Sequence, residues 1–375
     1  MDIKTATTMA PQTRCETEGA PSAQAIHAKT AVLLINTGSP DKPQADAIRE
    51  YLAQFLSDRA IVDLPRLIWL PILHGIVLRT RPPKTQGHYQ AIWTPEGSPL
   101  MVISRKQQSA LMAKLKHRGH NVEVFLAMRY GNPSILSALT AIANAQIKRV
   151  IVVPLFAQEA RVTTGTVIDE VNHLAQSFTS DTFESIEFIR SHVKAPGYIE
   201  ALAQQVHATW KQATSTGVDP LDANSRVLIS FHSTLVKDIE TGDPYQHHAL
   251  QTAHGLADVL QLAKASWQVS WQSRFDSRRW LKPATKDVLA AWAREGISTV
   301  TLVSPSFAAD CLETLYECDI ELREEYVTAF KQAHPDAPEP LFFYVPCVND
   351  NPHYIDALAW CVERVLSVSN GCVGK

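Results

Sequence analysis

Short apolar runs of strand type, separated by amphipathic stretches of helical length, constrain the fold of this chain more than any other feature. The runs are AVLLINTG (31–38), VEVFLAMRY (122–130), RVIVVPLF (149–156), RVLISFH (226–232), WQVSWQSRF (267–275) and VTLVSPSF (300–307). Strands that alternate with helices form parallel sheets, and nearly continuous apolar strands indicate that helices cover both faces of the sheet. The sequence therefore predicts an α/β fold.

The pattern of the first half is repeated in the second. VFLAMRYGNPS and VSWQSRFDSRR each end a strand with an arginine and an aromatic residue, and the next strands, VIVVPLFAQ and VTLVSPSFAA, also resemble each other. A duplicated doubly wound domain explains this internal similarity. Ligands bind beyond the carboxyl ends of such strands, so a cleft between two halves would collect residues from both. His232, Arg129 and the start of a helix predicted over 309–326 lie at such ends.

Composition narrows the functional classes. A formal charge of -3, from 35 basic and 38 acidic residues, gives no field that would attract nucleic acid, and we exclude nucleic acid as a partner. Residues 1–29 lack the apolar run of a secretory signal and are predicted to be a disordered tail. The six cysteines include no C-x-x-C pair, so reduced thiols in the cytosol are the simplest interpretation.

Residues 64–84, LPRLIWLPILHGIVLRTRPPK, do not fit the α/β alternation. The segment is strongly apolar from Leu67 to Leu78, is interrupted by Pro71, and is followed by three basic residues. Its apolar part, Leu67 to Leu78, is too short to span a bilayer. An apolar, tryptophan-containing segment with a basic flank suits a membrane interface, while a buried helix with an exposed basic end is the alternative.

Glu313, Glu317, Glu321 and Glu325 follow one another at four-residue spacing, and we call them the acidic row. Like charges at this spacing repel by about 0.2–0.5 kcal/mol per pair, so a solvated acidic face is one interpretation. On an α-helical wheel Glu313 lies at the edge of the apolar side, and Glu317 and Glu321 lie progressively farther from it. That apolar side holds Leu312, Tyr316, Ile320, Tyr326, Val327 and Phe330. The alternative interpretation is a row that links a buried site to water and passes protons out or cations in.

His232 closes a predicted strand, where a histidine is more often a hydrogen-bonded core residue than a catalyst. The predicted cleft would, however, bring Glu313 to the same place. A neutral imidazole and a carboxylate together suit both proton abstraction near pH 7 and coordination of a divalent transition metal.

A series of motifs now makes a resemblance specific. They are INTGSPD (35–41), YLAQFLSDRAIVDLPR (51–66), AMRYGNPS (127–134), SFH (230–232) with TGDPY (241–245), WQSRF (271–275) with WLKPAT (280–285), and FAADCLETLYECDIE (307–321). In this order they closely resemble the ferrochelatase family over roughly residues 30–368. The resemblance implies a chelatase fold of two flavodoxin-like or Rossmann-like halves with parallel sheets. It further implies a lyase that inserts Fe2+ into protoporphyrin IX with release of two protons, the terminal step of haem synthesis.

The expected domains are an N-terminal half over 30–170, a C-terminal half over 171–350 and a closing helix over 351–370. By resemblance, residues 64–84 are a hydrophobic lip through which the enzyme meets the membrane and the porphyrin. We therefore expect a cytoplasmic protein peripherally associated with the membrane.

The resemblance also implies roles for individual residues. His232 is the proton acceptor or a metal ligand, Glu313 is its partner carboxylate, and both are the expected catalytic residues. The other residues expected in the porphyrin pocket are Arg129, Tyr130, Trp280 and Thr37. The expected metal residues are His232, Glu313, Glu317 and Glu321, of which the last two lie in the acidic row leading from the metal site. Fe2+ is a substrate, and no permanently bound cofactor is expected. An iron–sulfur cluster is not expected either, because Cys347, Cys361 and Cys372 are too widely spaced.

Some positions depart from the family pattern and bear on substrate fit. Where members commonly read P-Q-Y-S, residues 157–160 read AQEA, so Glu159 replaces an aromatic residue. Thr234 and Leu235 stand where a proline is usual, and Ser306 replaces a common glycine. Two alternatives therefore remain: a non-catalytic paralogue that binds porphyrin or haem, and a chelatase for another metal or tetrapyrrole. Three further histidines are interpreted as surface residues: His247, His248 and His254.

Overall fold

Two four-stranded parallel sheets organise the chain, which a computed structural model describes over residues 29–215, 217–273 and 278–370. The first sheet contains β1 (Thr30–Asn36), β2 (Val122–Met128), β3 (Arg149–Pro154) and β4 (Ser185–Phe188), in the order β2-β1-β3-β4. The second contains β5 (Ser225–His232), β6 (Trp267–Gln272), β7 (Thr299–Val303) and β8 (Leu341–Val345), in the order β6-β5-β7-β8. The two sheets share one strand order, so the predicted α/β fold of two parallel-sheet halves is confirmed.

Helices connect these strands. The α-helices are α1 (Ala45–Ser57), α2 (Arg66–Ile72), α3 (Leu78–Ile92), α4 (Pro99–His117), α5 (Ile135–Asn144), α6 (Thr166–Ala175), α7 (Tyr198–Ser215), α8 (Val236–Glu240), α9 (Tyr245–Val259), α10 (Thr285–Glu295), α11 (Leu322–Ala333) and α12 (Pro352–Asn370). Within the described ranges, π-helical segments occur at Leu73–Val77, Arg161–Gly165 and Glu313–Glu321.

Strand β1 shows why its sequence is apolar throughout. Every residue of the strand is buried. Leu33 and Ile35 pack into a cluster with residues of α5 and α6, while Val32 and Leu34 pack on the other side into a cluster with residues of α4 and α12. Because side chains alternate across a strand, helices on both faces require apolar residues at every position.

The sheets extend beyond the strands that the sequence predicted. SIEF and LFFYV form the edge strands β4 and β8, and β4 lies past residue 170, the expected end of the N-terminal half. Helix α12 packs against α4 and α7. The predicted strand 267–275 ends at Gln272. Arg274 and Phe275 of that strand, and the tail predicted before residue 29, lie outside the described residues.

The helix that carries the acidic row begins as a π-helix and continues as α11. The Leu322 N–H donates to the Glu317 carbonyl, the i→i+5 bond that defines a π-helix. The residues it buries are Thr314, Cys318, Leu322, Tyr326 and Phe330. Of the predicted apolar side, Tyr326 and Phe330 are buried, whereas Leu312, Tyr316, Ile320 and Val327 are only half-buried. For Tyr316 and Ile320 the wheel prediction is wrong because the wider π turn rotates other residues inward.

The lip formed by residues 64–84 comprises α2, the π turn Leu73–Val77 and the first turns of α3. Leu73 and Leu78 point inward with 0% and 4% of their surface exposed, whereas Leu67 is 93% exposed. Four further apolar residues are also exposed: Leu64, Ile68, Ile72 and Ile76. The alternative interpretation, a buried helix, is therefore wrong for the outer face of the lip. Among the described residues, no helix is long and apolar enough to cross a membrane.

Candidate functional site

A cleft opens at the carboxyl ends of the strands and takes residues from both halves. It is lined by the loops after β1 and β2, which contribute Thr37, Arg129 and Tyr130, and by His232 at the end of β5 and Glu313 at the start of the π-helix. Its space amounts to about 1230 Å³, the open mouth included. The fold therefore brings five of the predicted site residues together.

His232 is fixed by backbone and side-chain hydrogen bonds. Its Nδ1 lies 2.9 Å from the carbonyl oxygen of Ser233. A carbonyl only accepts, so Nδ1 carries the proton and the neutral ring has its lone pair on Nε2. The His232 N–H donates to Ser306 Oγ at 3.0 Å, and the Tyr245 hydroxyl donates to the His232 carbonyl at 2.7 Å.

Burial sets the charge of this histidine. Desolvation lowers the pKa of His232, and the charge of Glu313 opposes that shift without cancelling it. The imidazole is thus neutral at physiological pH. Beside the pair lies Cys311, which also lines the cleft, and burial with the charge of Glu313 raises the pKa of its thiol. Among the described residues, no group of three or more His, Cys, Asp or Glu side chains is arranged to hold a metal ion.

The acidic row leads away from the cleft. In the described part of the chain, neither Glu317 nor Glu321 lines it. Glu317 Oε2 accepts a 2.8 Å hydrogen bond from the Ser273 hydroxyl, and burial, followed by the charge of Glu313, raises its pKa to about 7. Glu321 is exposed and pairs with Lys286. The row therefore runs from a cleft residue through a half-buried carboxyl to the surface.

Arg129 and Tyr130 are held by one carboxylate, that of Asp58 after α1. Asp58 Oδ2 accepts from Arg129 Nη2 at 2.6 Å and from the Tyr130 hydroxyl at 2.9 Å. Arg129 also donates to the Thr166 carbonyl at 3.1 Å and lies over the Tyr130 ring. Sequence reasoning missed Asp58, although it lies in the SDRAIVDLPR portion of a motif already singled out.

Glycine is required where the loop after β1 meets the segment that carries Arg129 and Tyr130. Gly38 has a φ of +106°, and a Cβ there would lie 1.8 Å from the Tyr130 carbonyl oxygen. The loop also bonds directly to the same segment, because the Tyr130 N–H donates to the Thr37 carbonyl at 2.9 Å. A side chain at residue 38 would separate two walls of the cleft.

Trp280 is not among the cleft-lining residues of the described chain. It is buried, and it pairs through its backbone with Leu235 in the loop after His232. The described structure thus places Trp280 next to the segment that carries the histidine rather than on the cleft wall.

The departures from the family pattern differ in their position. Thr234 and Ser306 line the cleft, whereas Glu159 lies outside its lining and pairs with Arg190 at 2.7 Å. His248 is half-buried, and its Nδ1 accepts a hydrogen bond from the Glu159 N–H at 3.2 Å. His247 and His254 are exposed.

Two of the cysteines considered for an iron–sulfur cluster, Cys347 and Cys361, are not among the residues that line the cleft. Cys347 and Cys361 are buried and present as free thiols. Cys372 lies outside the described residues.

Two parallel sheets of matching order around a cleft with a histidine and a glutamate define a protein of the chelatase fold. A solved structure of SirB from Bacillus subtilis with Fe3+ has this fold, with a TM-score of 0.50 and 16% identity over 92% of this chain and 98% of that chain. The ferrochelatase family model matches residues 29–366, and the chain belongs to the ferrochelatase family.

Curated relatives agree with this assignment over most of their length. The ferrochelatase of Polaromonas sp. strain JS666 is 41% identical over 338 residues, which is 90% of this chain and 87% of that protein. The ferrochelatase of Bordetella pertussis strain Tohama I is 40% identical over 338 residues, 90% of this chain and 88% of that protein.

Proposed function

We propose that this protein inserts Fe2+ into protoporphyrin IX to form protohaem, with release of two protons, as the terminal step of haem synthesis. The observation that carries the proposal is that a half-buried, neutral His232 and Glu313 line the same cleft in a ferrochelatase family member. Metallation needs a base for the pyrrole protons and a path for them to leave. On this proposal His232 supplies the base, and the acidic row that begins at Glu313 supplies the path.

His232 acts as the acceptor of a pyrrole proton. The Ser233 carbonyl holds the Nδ1–H, and the tautomer therefore directs basicity to Nε2. When the ring takes a proton, the charge of Glu313 favours the imidazolium that forms. A neutral imidazole with a lone pair is also a suitable ligand for an approaching Fe2+.

Glu317 then receives protons from the cleft side. A carboxyl with a pKa of about 7 is partly protonated at neutral pH, so it can both accept and release a proton under working conditions. The Ser273 hydroxyl orients its Oε2, and the exposed Glu321 delivers protons to water. On this proposal the acidic row is a proton outlet.

The walls of the cleft hold the macrocycle. Tyr130 and Phe307 supply aromatic surface, and Asp58 fixes Arg129 and Tyr130 together. A rigid wall resists relaxation of a bound porphyrin to planarity, and an out-of-plane macrocycle exposes its nitrogen lone pairs to the metal. Thr37 and the loop that Gly38 permits form the adjoining wall.

The test is a metallation assay with purified protein, protoporphyrin IX and Fe2+ in the absence of oxygen. We expect porphyrin fluorescence to be lost with multiple turnovers. Binding of porphyrin without turnover would instead support a porphyrin- or haem-binding paralogue. Turnover with Co2+ but not Fe2+, or with coproporphyrin but not protoporphyrin, would support a chelatase for another metal or tetrapyrrole.

We further propose a cytoplasmic enzyme that contacts the membrane surface through the lip at residues 64–84. The support is its exposed apolar face, with Leu67 93% and Ile76 60% exposed, beside the basic residues Arg79 and Arg81. Interfacial binding scales with buried apolar area and with attraction to anionic lipids. Such a location would give the cleft access to an apolar substrate dissolved in the bilayer.

Sedimentation with anionic liposomes tests this contact. The double variant Leu67→Asp with Ile76→Asp should lose binding, whereas Leu136→Asp, at an exposed leucine of α5, should bind like the wild type. Leu73 is unsuitable for the test because it is fully buried, and a charge there would unfold the lip. Equal sedimentation of the double variant and the wild type would refute the membrane contact.

A further inference from the structure

Tyr198, the first residue of α7, joins the two halves of the protein behind the cleft. The residue is fully buried, with 1% of its surface exposed. Its hydroxyl lies 3.0 Å from the carbonyl oxygen of Pro305, in the loop after β7, and 3.1 Å from the side-chain nitrogen of Gln158, in the loop after β3. Gln158 lines the cleft. One buried hydroxyl therefore bonds to a loop of each half.

The direction of these hydrogen bonds is fixed by the groups that can only accept. A carbonyl only accepts, so the Tyr198 hydrogen goes to Pro305 and the Tyr198 oxygen must accept from Gln158. The Thr252 hydroxyl likewise donates to the His248 carbonyl at 2.9 Å and lies 3.0 Å from the same Gln158 nitrogen. Both hydroxyls thus accept from one amide group, which must be Nε2. Burial raises the pKa of Tyr198, so the hydroxyl stays protonated and keeps its bond to Pro305.

The loop that Tyr198 holds also fixes the backbone of His232. Pro305 directly precedes Ser306, whose Oγ accepts from the His232 N–H at 3.0 Å. Successive N–H groups of a strand point to opposite neighbours, and the next one, that of Ser233, donates to β6. The His232 N–H therefore points to the β7 side, where β7 has already ended. The Ser306 hydroxyl takes the place of a strand acceptor there.

We propose that Tyr198 is a positioning residue for His232, because its hydroxyl holds the Pro305 carbonyl and thereby keeps Ser306 in place to accept from the His232 N–H. The inference rests on the proposed function, in which His232 accepts a pyrrole proton. Gln158, on the same hydroxyl, ties this loop to the cleft wall of the first half. A small displacement of a reacting group lowers the rate steeply, so a base held in this way is aligned with a substrate held by the opposite wall.

Tyr198→Phe keeps the ring and removes the hydroxyl. Tyr354→Phe is the matched control, because Tyr354 is also fully buried and its ring centroid lies 6.2 Å from that of Tyr198. Its hydroxyl bonds to Nε2 of His192, which does not line the cleft. The same chemical change is thus made at two neighbouring buried tyrosines, and one of them alone contacts the loop after β7.

Amide hydrogen exchange in the porphyrin-free protein, resolved by residue with NMR, tests the positioning without any turnover. In Tyr198→Phe the His232 amide should exchange at least tenfold faster than in the wild type. The Ser233 amide, which donates to the Gln272 carbonyl at 2.8 Å, should be unchanged. Ser306→Ala removes the acceptor itself and should accelerate the His232 amide as well. Combined with Tyr198→Phe it should add no further acceleration, because both changes break the same hydrogen bond.

The metallation assay tests the consequence for the reaction, at a temperature well below the melting temperature of every variant. Tyr198→Phe should lower kcat at least fivefold and leave the KM for porphyrin within twofold of the wild type, because the base is displaced while the cleft walls remain. Tyr354→Phe should match the wild type in both constants. A purely structural role for Tyr198 would lower the melting temperature and leave kcat unchanged.

Equal exchange of the His232 amide in Tyr198→Phe and the wild type would overturn the proposal, as would an equal acceleration in Tyr354→Phe. Failure of the proposed function is recognised separately, since the wild type would then not metallate porphyrin at all. The exchange measurement would still decide whether Tyr198 holds the loop that fixes His232.

Discussion

Replacement of Glu317 by glutamine tests whether a carboxyl of the acidic row titrates near neutral pH. Burial and the charge of Glu313 raise the pKa of Glu317 from an ordinary value of 4.5 to about 7. Each pH unit between the folded and unfolded pKa corresponds to about 1.4 kcal/mol. Ionised Glu317 should therefore cost the folded protein about 3 kcal/mol relative to the protonated carboxyl.

The sign of the stability difference between Glu317→Gln and the wild type depends on which state, folded or unfolded, binds the Glu317 proton more tightly. Below pH 4.5 the carboxyl is protonated in both states, and Glu317→Gln should match the wild type in unfolding free energy. Between pH 4.5 and about 7 the unfolded chain is ionised while the folded protein keeps its proton, so the wild type loses stability as the pH rises. Above that window the variant should be more stable by about 3 kcal/mol.

Urea unfolding of both proteins at pH 4.5, 6 and 8 measures this difference. Glu324→Gln is a matched control, because it makes the same substitution at an exposed position of α11 one turn beyond the π-helix. A constant difference between Glu317→Gln and the wild type across this range would refute the raised pKa. The case for Glu317 as a proton carrier would then be lost.

Three other substitutions have separable expected outcomes. His232→Ala should lower turnover by about 10²-fold or more, while porphyrin binding, followed by fluorescence quenching, stays within a few-fold of wild type. Glu313→Gln should lower kcat more than any other single substitution in the acidic row, with an unchanged melting temperature. Wild-type kinetics would instead support the interpretation of the row as a solvated acidic face. Asp58→Asn should release Arg129 and Tyr130, raise the KM for porphyrin and destabilise the protein by about 1–3 kcal/mol. An unchanged KM for Asp58→Asn would show that this carboxylate does not shape the cleft.

Much of the fold could be predicted because strand periodicity and burial are local properties. A strand such as β1, buried on both faces, is apolar at every position and is recognisable in isolation. The edge strands β4 and β8 were not predicted, and β4 has only four residues, all half-buried. Short strands of this kind depend on a neighbouring strand that the local sequence does not reveal.

The site was predictable where it follows strand ends and unpredictable where it depends on helix type. His232 could be placed because parallel strands meet at one edge of a sheet. The burial of Cys318 instead of Tyr316 could not be predicted, because a helical wheel assumes α-helical turns and the chain adopts a π-helix here. Asp58 was missed because its role lies in two contacts with residues more than seventy positions away in the chain.

The shared strand order of the two halves shows how one architecture supplies both parts of the site. The loop after β2 places Arg129 and Tyr130 on the cleft wall, where Asp58 fixes them. The corresponding loop, after β6, instead places Ser273 against Glu317 of the acidic row. Equivalent positions in a duplicated sheet thus line the cleft in the first half and orient a carboxyl of the acidic row in the second; on the proposed function they would hold the macrocycle and a proton carrier, respectively. Because the cleft lies where both sets of strands end, His232 in the second half faces a wall built by the first, and either half alone would lack the other component.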